Sequence, residues 1–144
     1  MKVENRVHPD AEQMAELVKP GPDGPVVMVN LLKFRDRARY PDGRDPHLSG
    51  REAYHRYGTA FVEQLLDAGG RVIFVGDVRF LTLGEVESLW DEVALAEYPS
   101  RAALLAMTSA PGWRDIAVHR EAGLEGQLNI ETTPSLVLQT LGKR

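Results

Sequence analysis

With 144 residues, 43% of them hydrophobic and 26% charged, the chain has the size and composition of one globular domain, which argues against two ordinary domains and against intrinsic disorder. A formal net charge of -4 with both signs interspersed provides no basic field for a nucleic acid backbone. Zero cysteines exclude disulfides, thiolate nucleophiles and thiolate metal sites, and fit a reducing compartment.

The opening MKVENRVHPD lacks the apolar core of a signal peptide, and the most hydrophobic run, 26–32, is too short to span a bilayer and contains Asn30. A cytoplasmic protein without a membrane partner is expected. In residues 10–18, DAEQMAELV, Ala11, Met14, Ala15 and Val18 recur at helical spacing before KPGPDGP breaks the pattern. Residues 1–24 thus read as a leading helix and linker. Residues 25–34 are β-rich and begin apolar on both parities, the mark of a strand covered on both faces. The charged segment 35–48, with two prolines and a glycine, reads as a long loop, and such loops are often functional or mobile.

Ser49 and Glu52 form a capping box, and Tyr54, Tyr57, Phe61, Leu65 and Ala68 follow at steps of three and four until Gly69 and Gly70 stop the helix. Residues 71–81 predict a second strand, in which Gly76 implies a bulge or close approach. After a turn at Gly84, residues 89–98 predict a third strand, antiparallel to it. Pro99 ends that strand, Ser100 caps a helix through Met107, and Ser109 with Pro111 restarts helix through about Ala122, leaving a break near Thr108. Residues 124–131 alternate weakly, as an edge strand does, and LVLQTL in the tail 135–144 predicts a short fifth strand.

The order β, α, β, β, α, β is that of a ferredoxin-like α+β sandwich over 25–134, with both helices on one face of a four-stranded antiparallel sheet. Two helices cover one face only, yet Val72, Phe74 and Val78 oppose Ile73, Val75 and Leu81 on both parities. A twofold-related copy is the simplest cover for the second face, giving a homodimer in the form of a dimeric α+β barrel.

From residue 25 onward the motifs VNLLKF (29–34), SGREAYHRYG (49–58), AGGRV (68–72), WDEVALAEYPSRAALLAM (90–107) and HREAGL (119–124) fall where these elements fall. Together they resemble domain-of-unknown-function family 1330 (DUF1330) of the dimeric α+β barrel superfamily, over roughly four fifths of the chain. The resemblance implies a homodimer with a pocket in each subunit between sheet and helices. The wider superfamily includes cofactor-free monooxygenases, lactone isomerases and haem-associated enzymes; the family itself is named for having no assigned activity.

Trp113, Ile116, Ala117 and Arg120 share one helix face, which turns a guanidinium toward the core. A buried arginine needs a partner or an anion, so two readings stand: a salt bridge to Asp91, or a substrate carboxylate. His119 adjoins that face and reads either as an acid or base near neutral pH or as a surface histidine. Asn30 shares parity with Val26, Met28, Leu32 and Phe34, so its amide either orients a substrate oxygen or satisfies backbone groups. Tyr54, Tyr57, Trp90 and Trp113 line an aromatic pocket or simply build core.

Asp42, Asp45 and His47 lie on an irregular loop rather than at metal-ligand spacing, so no metal is expected. Walker, dinucleotide, nucleophile-elbow and HExxH signatures are absent, and no cofactor is expected. These residues fit a cofactor-free enzyme that transfers a proton to, or oxygenates, an aromatic or carbonyl compound. In it His119 moves the proton, Arg120 and Asn30 hold developing negative charge, and the rings hold the substrate, with Asp91 beside them. The alternatives are a dimer that binds a small ligand without chemistry and a purely structural dimer.

Overall fold

A computed structural model describes residues 3–143 of the chain. Capping decides where its helices start. Asp10 accepts from Gln13 N and returns the bond through the Gln13 side chain, opening α1 (Ala11–Leu17), and Ser49 with Glu52 does the same for α2 (Gly50–Asp67). Between them lies β1 (Val26–Phe34). Then come β2 (Arg71–Asp77), β3 (Glu92–Tyr98), α3 (Arg101–Thr108), α4 (Trp113–Gly123), β4 (Leu124–Thr132) and α5 (Leu136–Leu141). The break between α3 and α4 falls at Gly112, whose φ of 86° suits a residue without Cβ.

The strands form one sheet in the order β2-β3-β1-β4, every neighbouring pair antiparallel. This is the ferredoxin-like α+β topology, with α2 and α4 packed together on one face. Directly opposed residues share a face. The register Met28↔Ala96 and Asn30↔Ala94 therefore puts Val26, Met28, Asn30 and Leu32 beneath the helices with Glu92, Ala96 and Tyr98. The core centres there, on Val26, Met28, Leu65, Ala96, Tyr98 and Met107.

Three details differ from the sequence reading, one being that the third strand begins at Glu92 rather than at residue 89. The second strand stops at Asp77 rather than reaching residue 81: Val78 N still bonds Asp91 O, and beyond it the chain leaves the ladder. Of the two alternatives at Gly76 the close approach holds, an added Cβ sitting 2.6 Å from the Phe74 ring, while a bulge lies between Val72 and Phe74. Finally, LVLQTL is the helix α5 and not a fifth strand. Leu136, Val137 and Leu138 stay exposed, so no ladder exists to hold the segment extended. The 35–48 loop is pinned, with Tyr40 and Ala38 buried and Arg39 N bonded to Ala122 O.

Among the described residues the other sheet face carries no helix. Val29, Leu31, Leu95 and Leu128 lie on it, with Phe74 55% and Ile130 47% exposed. Among the described residues no helix is long and apolar enough to cross a membrane.

The leading segment straps across the helical side. Arg6 pairs with Gln127 on β4, and beyond α1 the chain is held by Arg101, which donates to Glu16 O at 2.9 Å and grips Glu131 through two 2.8 Å bonds. Gly21, at φ 71°, lets the backbone pass so close beneath this guanidinium that a Cβ would meet Nε at 2.6 Å. Arg101's hydrogen bonds hold the Glu131 carboxyl below the ordinary glutamate range. The native value being depressed, this contribution is complete above the usual value of about 4.3 and is lost as pH falls through the lower native one. Protection of α1 amides in hydrogen exchange is therefore expected to drop relative to the sheet as pH falls below the usual glutamate value. Glu131→Gln should have low α1 protection throughout and no such step.

Candidate functional site

The site grows from the alternation of β1 and β3 and from one stripe of each long helix. Position 30 is central on β1, and its amide is fully used: Nδ2 donates to Ala94 O at 3.1 Å and Met28 O at 3.3 Å, and Oδ1 accepts from Gln127 at 2.6 Å and Asn129 at 3.0 Å. Gln127 in turn accepts from Arg120 Nη2 at 2.7 Å, and the same nitrogen donates to Val7 O at 2.7 Å. Arg120 is thus oriented by neutral acceptors. Among the described residues no carboxylate lies within ion-pairing distance of it, and its Nη1 and Nε have no partner.

Asp91 is not the partner of Arg120. Successive strand residues point to opposite faces. Glu92 turns under the helices, so Asp91 turns away, accepts from Phe34 N at 2.8 Å and lies 3.7 Å from Lys33 Nζ. It fastens the end of β1.

Above Asn30 and Arg120 lies a cavity of about 1530 Å³, lined by Tyr54, Tyr57, Phe61, Tyr98, Met107 and Trp113 among others. Tyr57 stacks on Phe61 at 5.4 Å and meets the Trp113 ring edge-on at 5.9 Å. Of the four tyrosines, Tyr40 has its hydroxyl bonded, to His119 and Arg56. The hydroxyls of Tyr54, Tyr57 and Tyr98 have no partner among the described residues and belong to cavity-lining side chains. Burial raises all three phenols, Tyr57 to about 12. The charge of Arg120 pulls Tyr54 and Tyr57 the other way without overcoming burial. They remain neutral donors near pH 7.

The structure separates the remaining candidates from this centre. His119 lies against the 35–48 loop, Nδ1 2.7 Å from Tyr40 Oη, and is held below its ordinary range by burial and by Arg44 and Arg56. It does not line the cavity. One residue along a helix is a turn of about 100°, enough to send His119 and Arg120 to different neighbours. Trp90 also lies away from the cavity, its Nε1 buried without a partner.

Two groups escaped the sequence reading. Glu92 is 5% exposed, lines the cavity, and receives Arg51 Nη1 at 3.3 Å, with His55 Nε2 at 3.2 Å. Tyr98 is the other. Both share parity with Ala94 and Ala96, a signal present in the sequence. Among the described residues no group of three or more His, Cys, Asp or Glu is arranged to hold a metal.

No family model and no curated protein matches the chain. Solved structures do. The methylated RPA0582 protein is 35% identical, with TM-score 0.82, over 90% of this chain and 95% of that one. A second structure of RPA0582, a protein of unknown function from Rhodopseudomonas palustris, is 34% identical with TM-score 0.81, over 91% and 98%. A dimeric protein of unknown function and ferredoxin-like fold from Bacteroides fragilis is more distant, 15% identical with TM-score 0.45 over 76% and 96%. At the identity and coverage of the first two, the chain belongs to the same family as the RPA0582 protein of Rhodopseudomonas palustris.

Proposed function

We propose that the chain is one subunit of a homodimer that binds a small molecule in the cavity between its sheet and its helices. One observation carries this reading: phenol hydroxyls without protein partners and a guanidinium without a counter-ion open onto the same cavity. A few convergent polar groups on an otherwise aromatic and aliphatic wall have the makings of a ligand site. The motifs shared with domain-of-unknown-function family 1330 support placing the chain there and agree with a pocket in this position.

Thermal-shift screening against a small-molecule collection tests the reading, since a ligand of the native state present at 100 times its Kd adds about 2.7 kcal/mol. Hits are expected that Trp113→Ala weakens. A collection in which no compound moves Tm would overturn it.

The dimer is supported by the uncovered apolar sheet face, which a second copy related by a twofold axis would bury. Sedimentation of the wild type should give twice the chain mass at micromolar concentration, and Phe74→Asp with Ile130→Asp should give monomer. A monomeric wild type removes this part of the reading.

An enzymatic reading is favoured by the buried Glu92 and its neighbour His55 at the cavity wall, an arrangement suited to proton transfer. It predicts that a screening hit is turned over and that His55→Gln abolishes turnover while leaving binding intact. Hits that bind and stay unchanged would leave binding as the function.

A further inference from the structure

Resting on the binding reading above, the polar groups of the cavity define the chemistry of the ligand. Arg120 brings one positive charge, and two neutral oxygens share a single one of its nitrogens. A neutral ligand leaves that charge uncompensated, and a cationic one is repelled. Tyr54 and Tyr57 offer hydroxyls, not phenolates, so they match an acceptor. A second negative charge has no free cation to meet, because the other arginines on the wall, Arg6 and Arg101, are already paired with Glu4, Asp10 and Glu131. One stretch of the wall is apolar, from Met28 and Phe61 to Leu104, Met107 and Trp113. The cavity's roughly 1530 Å³ far exceeds the volume of a head group alone.

We propose that the cavity takes an amphipathic monocarboxylate, its head group paired with the free N–H groups of Arg120 and hydrogen-bonded by Tyr54 and Tyr57, its apolar body lying along Met107 and Trp113. A carboxylate gives a guanidinium N–H a charge-assisted hydrogen bond, which an alcohol or an amide cannot reproduce.

The probes are decanoate, decanol and decyl phosphate, all kept below micelle-forming concentrations and titrated into the full-length protein by calorimetry. The indole signal of Trp113, identified with Trp113→Phe, reports occupancy of this cavity rather than of the exposed sheet face. Decanoate is expected to bind at least tenfold more tightly than decanol or decyl phosphate, and Arg120→Gln should erase the preference. Tyr57→Phe removes only a hydroxyl without a protein partner, so it should fold normally and weaken decanoate about tenfold. Equal or tighter binding of decanol or decyl phosphate overturns the proposal while leaving the pocket intact, as does a preference that survives Arg120→Gln. If none of the three moves the Trp113 signal, the monocarboxylate assignment falls, and thermal-shift hits then decide separately whether the cavity binds anything.

Discussion

Leu65→Ala is expected to lower the unfolding free energy by about 3 kcal/mol, within the range of roughly 2–5 kcal/mol for emptying a fully buried leucine site. Leu65 is 0% exposed and belongs to the cluster of Val26, Met28, Ala96, Tyr98 and Met107, where α2 meets the sheet. It also lies against Gly70, where an added Cβ would come 2.5 Å from Leu65 Cδ1, so the turn into β2 is built around this side chain. The void would open beside the cavity floor. Urea denaturation with the slope unchanged and the midpoint lowered is the expected result, and a loss below 1 kcal/mol would mean that the site collapses onto the smaller residue.

Gly50→Ala should be nearly as damaging, and Gly58→Ala in the same helix should not. At position 50 a Cβ would lie 2.6 Å from both Arg35 N and Gly123 O and closer still to Arg35 O, all of them backbone atoms that cannot rotate away. Gly123 faces Gly50 with the same intimacy, so α2, α4 and the exit of β1 touch backbone to backbone there. Overpacking costs typically 1–3 kcal/mol, and the rigid surroundings put Gly50→Ala near 3. At position 58 nothing lies within 4 Å of the added carbon, and the change should stabilise by about 0.5–1 kcal/mol through helix propensity. Thermal unfolding of the two variants should therefore move in opposite directions, and a matching loss at both positions would refute the contact argument.

The architecture was legible in the sequence because each long element announced its own period and boundary: the Ser49–Glu52 box and Gly69 frame α2, and Pro99 with Ser100 marks the turn into α3. The tail was not, because LVLQTL is apolar at every periodicity, and only the absence of a neighbouring strand decides for helix. Arg120 was legible from a helical stripe. Its supposed partner was not, because the pairing to Asp91 ignored strand parity, which gives Glu92 to the helical side and Asp91 to Lys33. His55 was overlooked because the α2 stripe was read for apolar residues, and the buried carboxylate that gives this histidine meaning arrives 37 residues later. The bond from Arg120 to Val7 O spans 113 residues, and no local pattern encodes it.

The leading segment has a kinetic consequence. The seven residues of α1 bury no side chain, although Gln13, Met14 and Leu17 form part of the cavity wall. Detaching them breaks the Arg6 pairing and the carbonyl contacts of Arg101 while the sheet and the α2–α4 pair keep theirs. Such a segment frays at a small fraction of the global unfolding energy. A protease should accordingly cut this segment from its locally opened state, on a clock independent of global unfolding.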